Sequence, residues 1–132
     1  MSAELILATA TAMEMRAALR GLGHGYIPDH SPEAGLPVFL HNGRIIRPVI
    51  TGVGPLTASF GMGKLAGEGS LSPERCRGIL LLGIAGTYDT AMAPLGSIVV
   101  ACEEIWPEYG IVTSEGVDPR PLAFRSWAAK TP

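Results

Sequence analysis

Glu14 is the titratable residue whose sequence surroundings say most about chemistry. It follows an apolar run, Leu5–Ala10, and stands three residues after Thr11, the spacing of a capping box at the start of a helix. A carboxylate in the first helical turn is stabilised by the helix N-terminus and can orient a water toward a ligand at the edge of a sheet. Glu14 is therefore the candidate catalytic residue, although its position alone favours the simpler role of a capping side chain.

Small residues follow three apolar runs, at Ala10–Glu14, Thr51–Pro55 and Gly83–Thr87. In an α/β sheet, ligands bind where the strands end at their carboxyl edge. Small residues there allow a backbone N–H to approach a ligand, and a helix that follows adds a favourable field for an anion or a polarised water. The sequence therefore predicts a ligand site at the ends of these three runs.

Other chemistries fit the sequence less well. Gly52-Val53-Gly54 resembles the start of a dinucleotide-binding motif, but it follows a hairpin strand and lacks the third glycine. Gly63-Lys64-Leu65 lacks the Ser or Thr and the leading glycine of a phosphate-binding loop. Cys76 and Cys102 have no histidine at metal-ligand spacing, so no metal is expected. An acidic segment with aromatic neighbours, residues 103–109, is either a solvated face or a loop that flanks the ligand.

The composition limits the partners. The 132 residues are 47% hydrophobic and 17% charged, with a net charge of −2 and acidic and basic residues mixed along the chain. Nucleic-acid binding needs a basic stripe, so nucleic acid is not expected as the main partner. The longest apolar run, Gly78–Ala85, is shorter than the roughly 18 residues of a membrane span. The first residues lack the basic region of a signal peptide, so we expect a cytoplasmic protein without a membrane partner.

The hydrophobic pattern predicts an α/β protein with a mixed sheet. Asn42-Gly43 between two apolar runs is the strongest signal for a hairpin, and Pro48 in the second run indicates a sheet edge or a bulge. Leu5–Ala10 is apolar on both faces, which is typical of a central strand. The other predicted elements are a capped helix from Thr11 to Gly21, a helix over Leu56–Ala66, a buried strand over Gly78–Gly83 and a strand over Ser97–Cys102.

Three stretches, in order along the chain, resemble the nucleoside phosphorylase/nucleosidase family. Leu5–Glu14 resembles the first strand and turn of the bacterial nucleosidases of this family, and Thr51–Gly54 resembles their second glycine turn. Leu81–Gly86 followed by Leu95–Val100 resembles the family's GxAG…GDIVV pattern, with Ser97 where the family usually has Asp. The resemblance implies a three-layer α/β fold in which helices flank a mixed central sheet, and it implies no cofactor.

The resemblance also implies roles for residues at the three strand ends. Glu14 matches the carboxylate that helps to activate the attacking water. Two substrate-binding sets match as well: a turn that holds water in nucleosidases and phosphate in phosphorylases, and a backbone stretch that lines the ribose and the base. These residues are Thr51, Gly52 and Gly54 in the turn, and Ile84, Ala85 and Gly86 in the backbone stretch.

Within the family, the chain most resembles the futalosine hydrolases of an alternative menaquinone pathway. That resemblance implies hydrolysis of the N-glycosidic bond of futalosine with release of hypoxanthine. The alternatives are a methylthioadenosine/S-adenosylhomocysteine nucleosidase and a purine nucleoside phosphorylase. A phosphorylase would need a cationic phosphate site, to which Arg16, Arg44 and Arg47 are the plausible contributors. The expected partners are a purine nucleoside and further copies of the chain, because family sites commonly borrow residues from a neighbouring subunit.

We expect residues 1–132 to form a single, incomplete domain of this kind, without its C-terminal part. The family's ribose-binding Met-Glu pair and purine-protonating Asp have no counterpart, since Met13-Glu14 is already assigned and Asp29, Asp89 and Asp118 lie in other settings. The chain alone is therefore expected to be inactive. The alternative from another class is a truncated, non-catalytic fragment whose exposed sheet edge leads to self-association.

Overall fold

The computed structural model describes residues 3–24, 36–102 and 111–118. The chain divides into two compact units, Met1–Gly86 and Thr87–Pro132. The elements of the first unit are β1 (Glu4–Thr9), α1 (Ala12–Gly21), β2 (Phe39–His41), β3 (Arg44–Ile50), α2 (Pro55–Gly67) and β4 (Cys76–Leu81). Those described in the second unit are β5 (Ile111–Thr113) and β6 (Gly116–Asp118).

Strand β1 lies inside a four-stranded sheet whose order is β2-β3-β1-β4. It pairs in parallel with β3 on one side and with β4 on the other, whereas β2 pairs antiparallel with β3. The prediction of an α/β protein with a mixed sheet is therefore confirmed. Ile6 and Leu7, which point to opposite faces of the sheet, are 1% and 2% exposed. Both faces of β1 are covered, as predicted for a central strand.

Helix α1 starts where the capping signal predicts, with Thr11 as its N-cap. Met15 and Leu19 lie one turn apart on the helix, so they share a face. Both are buried, and they pack with Leu7 of β1 and Ile46 of β3. This cluster holds α1 against the sheet beside the end of β1.

The hairpin β2–β3 turns at Asn42 and Gly43, whose φ angles of 48° and 74° are those of the predicted tight turn. Strand β2 pairs only with Arg44–Ile46, so Pro48 lies past its end. Alternate residues of a strand donate to the same neighbour, and the N–H of Thr51 donates to β1. The nitrogen of Pro48 therefore faces the open side of β3, which confirms the predicted edge position.

Helix α2 is one residue longer at each end than predicted, with Gly54 as its N-cap and Pro55 as its first residue. Strand β4 forms over Cys76–Leu81, and it is the outermost strand on its side of the described sheet. Leu81 is 70% exposed. The prediction of a strand is confirmed here, but the prediction that Gly78–Gly83 is buried is wrong, because an edge strand with an uncovered face leaves its apolar side chains in solvent.

The predicted strand over Ser97–Cys102 does not form. Ile98 and Val100 are 95% and 91% exposed, and the segment pairs with no other part of the described chain. An apolar run becomes a strand only where a neighbour accepts and donates the ladder hydrogen bonds. The prediction of a strand is therefore wrong, because none of the described residues pairs with this run.

The hairpin β5–β6 was missed by sequence reasoning. Its strands have three residues each, which is too short for a periodic signal. Gly116, with a φ of 124°, ends the turn between them. Neither helix in the described ranges has the length and apolarity that crossing a membrane requires.

Candidate functional site

The three strand ends that carry the candidate residues lie side by side. β3, β1 and β4 are adjacent and parallel, so their carboxyl ends reach the same edge of the sheet. Past these ends, Thr51 N donates to Thr9 O at 2.8 Å, and Leu82 N donates to Ala8 O at 2.9 Å. The predicted turns therefore emerge next to each other, as the sequence analysis expected of a ligand site.

The connections between the strands mark one position along this edge. The chain leaves β1, forms α1 and returns through β2 to β3 on one side of β1. It then passes through α2 to β4 on the other side of β1. The direction in which strands are added thus reverses between β1 and β4. Such a switch point leaves a crevice outside the strand ends, where ligands of open α/β sheets bind.

Glu14 lies at this switch point, and its carboxylate forms the predicted capping box. Its Oε2 accepts hydrogen bonds from Thr11 N at 2.9 Å and from Thr11 Oγ1 at 2.7 Å. In return, Glu14 N donates to Thr11 Oγ1 at 3.2 Å. The capping role is therefore confirmed, and it uses only one of the two carboxylate oxygens.

The other carboxylate oxygen of Glu14 reaches the turn after β4. Oε1 accepts a hydrogen bond from Ile84 N at 3.2 Å, a contact between residues 70 positions apart. A Cβ at Gly83 would lie 3.1 Å from this oxygen, so a glycine lets the turn come close. The predicted approach of a backbone N–H is thus realised, but its acceptor here is the catalytic candidate itself. Sequence reasoning found both partners and missed their contact.

These hydrogen bonds keep Glu14 ionised. The pKa of its carboxyl group is lowered by the Thr11 side chain first, then by Ile84 N–H, and further by the backbone of Thr11 and Ala10, while partial burial opposes the shift. Hydrogen bonds that donate to a carboxylate favour its charged form. The group is therefore a carboxylate at neutral pH, suited to accept a hydrogen bond or a proton from water.

Thr51 and Gly52 serve mainly the scaffold of the site. Thr51 is 8% exposed, and its hydroxyl donates to Thr9 O and to Gly52 O, both at 3.2 Å. Gly52 has a φ of 83°, and a Cβ there would overlap the side-chain methyl of Thr57. Only glycine fits that combination. These two predicted binding residues therefore fix the turn between β3 and α2.

Gly54 and the stretch Ile84–Gly86 remain accessible. Gly54 has a φ of 86° and precedes the first turn of α2, and a Cβ there would meet nothing within 4 Å. Ile84 is 93% exposed, and Ala85 and Gly86 are exposed as well. These residues present backbone to solvent at the strand ends, and the described chain does not enclose them.

The arginines proposed for phosphate binding are spread over the molecule. Arg47 lies in the middle of β3, and its Nε donates to Glu4 Oε2 at 2.5 Å, at the amino end of β1. Arg44 is the first residue of β3, six residues from the carboxyl end, which is about 20 Å at the rise of a strand. Arg16 is exposed on α1. Arg44 therefore lies at the opposite end of β3 from the candidate site, and the Arg47 side chain is engaged at the amino end of β1.

Other polar side chains of the described residues make local contacts of their own. The ring of His24 stacks 4.1 Å from that of Phe39 and 5.7 Å from that of His41, beside the hairpin. Among residues 3–24, 36–102 and 111–118, no three His, Cys, Asp or Glu side chains are grouped as a metal site. Asp89 Oδ1 accepts hydrogen bonds from the backbone of Ala91 and Met92. The acidic segment at 103–109 and Asp29 lie outside the described residues.

Comparisons with family models, with curated proteins and with solved structures find no match to this chain.

Proposed function

We propose that this protein hydrolyses the N-glycosidic bond of a purine nucleoside, with futalosine as its substrate and hypoxanthine as the released base. The observation that carries the proposal is the placement of the Glu14 carboxylate, which joins the end of β1 to the turn after β4 at the switch point of the sheet. The motif resemblance assigns a water-activating carboxylate to this residue.

The attacking water is assigned to the side of Glu14 that faces the turn after β4. Oε2 accepts two hydrogen bonds from Thr11, whereas Oε1 accepts one from Ile84 N. A carboxylate oxygen can accept about two hydrogen bonds, so we propose Oε1 as the oxygen that holds the water. A water bound there is oriented by an ionised carboxylate, as general base catalysis requires.

The proposed reaction is a displacement at the anomeric carbon of the ribose. The oxygen of the water bonds to C1′ while the bond from C1′ to the purine nitrogen breaks, and the water's proton passes to Glu14. The electrons of the broken bond leave with the purine, which takes up a proton to become hypoxanthine. The resemblance assigns that proton to an Asp, and none of the aspartates of this sequence lies in the family's setting.

The positions of two of the three candidate arginines favour hydrolysis over phosphorolysis. A phosphorylase holds its phosphate with cationic groups close to the glycine turn at Thr51–Gly54. Arg47 is engaged with Glu4, and Arg44 is at the start of β3. A water needs no such cation, so hydrolysis is the proposed reaction, and phosphorolysis with Arg16, which is exposed on α1, is the alternative that the comparison with and without phosphate tests.

The three-layer fold and a homo-oligomer belong to the same proposal. Crossovers between parallel strands are right-handed. Since α1 and α2 serve crossovers in opposite directions across β1, this rule assigns them to opposite faces of the sheet. The exposed apolar residues of α2 and β4, such as Phe60 at 79% and Leu81 at 70%, support burial against another copy in the working enzyme.

The test is hypoxanthine release by the protein expressed from its natural reading frame. Futalosine and methylthioadenosine are compared as substrates, each with and without phosphate, and base release is followed by absorbance. We expect release from futalosine that does not depend on phosphate. Cleavage of methylthioadenosine alone would replace the substrate, and a requirement for phosphate would replace hydrolysis by phosphorolysis. No cleavage of either nucleoside would overturn the proposal.

A further inference from the structure

Thr11 is more than a helix cap in this structure. Its hydroxyl accepts a hydrogen bond from Glu14 N and also donates to Glu14 Oε2, at 3.2 and 2.7 Å. The backbone of Thr11 is also fixed, because the hydroxyl of the buried Thr9 donates a hydrogen bond to Thr11 O at 2.9 Å. The position of Thr11 is thus fixed by a fully buried residue of β1.

The contact with Ile84 distinguishes this box from an ordinary one. A capping box satisfies N–H groups at the start of its own helix. Here the same carboxylate also bonds a residue 70 positions away, on the turn after β4. Because Thr11 occupies Oε2 with two donors, Oε1 is the oxygen left for Ile84 and for a ligand.

We infer that Thr11 is a positioning residue, whose hydroxyl orients the Glu14 carboxylate so that Oε1 faces the strand-end crevice. The inference rests on the proposed function for its catalytic consequence. Its structural part stands on the hydrogen bonds alone, since it concerns which oxygen of Glu14 is occupied and by what.

The ionisation of Glu14 supplies a readout that a purely structural cap would not change. The Thr11 side chain is the first cause of the lowered pKa of Glu14, and no charged side chain is among the causes. The charged residue closest to it in sequence is Arg16, exposed on the same helix. Removing the donated hydrogen bond should therefore raise the pKa of Glu14.

The experiment compares Thr11→Gly with Thr11→Ser. Glycine lacks the hydroxyl but is one of the residues that N-cap positions favour, whereas serine retains the hydroxyl. The pKa of Glu14 is measured by NMR titration of its side-chain carboxyl carbon, and melting temperatures are recorded in parallel. Thr11→Ala repeats the deletion in case the glycine variant does not fold.

We expect Thr11→Gly to raise the pKa of Glu14 and Thr11→Ser to leave it near wild type. In the active protein, Thr11→Gly should lower kcat by about 10- to 100-fold, the loss typical of a misplaced catalytic group, and should move the acidic limb of its pH profile upward. An unchanged pKa in Thr11→Gly, or a raised one in Thr11→Ser, would overturn the inference. Because the titration needs no turnover, its result is separate from that of Glu14→Gln, which tests the proposed function.

Discussion

Two regions of the first unit differ in how far water reaches their apolar side chains. In the closed half, where α1 packs on β1 and β3, Leu7 and Met15 are 2% and 0% exposed. In the open half, which consists of β4 and α2, Leu81 and Phe60 are 70% and 79% exposed. The catalytic candidate belongs to the closed half, through its place on α1. The backbone that would line a ligand, Ile84–Gly86, follows the open half. The candidate site thus combines a carboxylate fixed by hydrogen bonds with a turn whose neighbouring apolar side chains are exposed to solvent.

The contrast between the closed and the open half predicts that a Leu→Ala substitution lowers the free energy of unfolding far more in the closed half. Leu7→Ala should lower the free energy of unfolding by about 2–5 kcal/mol, because it leaves a cavity in the core. Leu81→Ala, in the edge strand, should change it by about 0.5 kcal/mol or less. Urea unfolding of the two variants checks the difference, and equal losses would show that β4 is buried in solution.

A second contrast lies within the turn before α2. Gly52→Ala should destabilise by about 1–2 kcal/mol through its left-handed φ, with a further loss from overlap with Thr57. Gly54→Ala shares the positive φ and meets nothing nearby, so only the first cost applies. Thr57→Ser, which removes the overlapping methyl, should restore part of the loss in Gly52→Ala and none in Gly54→Ala. Equal effects on both variants would show that the Gly52 contact with Thr57 is absent in solution.

The pH dependence of stability should report the hydrogen bonds of Glu14. Because its pKa is lowered in the folded protein, the ionised group stabilises the fold above the pKa of the unfolded chain. That contribution is lost as the pH falls through the folded pKa. The difference in unfolding free energy between wild type and Glu14→Gln should therefore be largest near neutral pH and shrink in acid. A difference that grows in acid would contradict the lowered pKa.

The smallest effect on the free energy of unfolding is expected from breaking the ion pair between Arg47 and Glu4. Their side chains are 31% and 26% exposed, and pairs with this much solvent contact are worth about 0.2–1 kcal/mol. Glu4→Gln should therefore cost no more than this, and high salt should reduce the cost. Urea unfolding at low and high salt measures it. A loss of activity out of proportion to this cost would point to Arg47 as a phosphate ligand and would revive phosphorolysis.

Local chemistry made the closed half predictable. Thr11 and Glu14 define the start of α1 at the right spacing, and Asn42-Gly43 defines the hairpin through a backbone geometry that few residues adopt. The open half depends on partners that are distant in sequence. An apolar run has the same sequence pattern whether or not other elements cover it or pair with it. The pattern therefore predicted burial for Gly78–Gly83 and, in the second unit, a strand for Ser97–Cys102.

The candidate site was likewise predictable only in part from the sequence. Glu14 could be found from its position after a buried strand, and the glycines from their turns. The bond from Ile84 N to Glu14 could not, because it follows from the pairing of β1 with β4 and from the space at Gly83. Sequence patterns located the components, while the tertiary pairing determined which of them meet.

The central claim is that the Glu14 carboxylate activates the water that cleaves the nucleoside. The most direct measurement is the rate of hypoxanthine release from futalosine by Glu14→Gln in the protein expressed from its natural reading frame. Glu68→Gln, at the far end of α2, is the matched control. The account predicts that Glu14→Gln lowers kcat by about 10²- to 10⁴-fold while Glu68→Gln retains wild-type turnover. Near wild-type turnover in Glu14→Gln would contradict it.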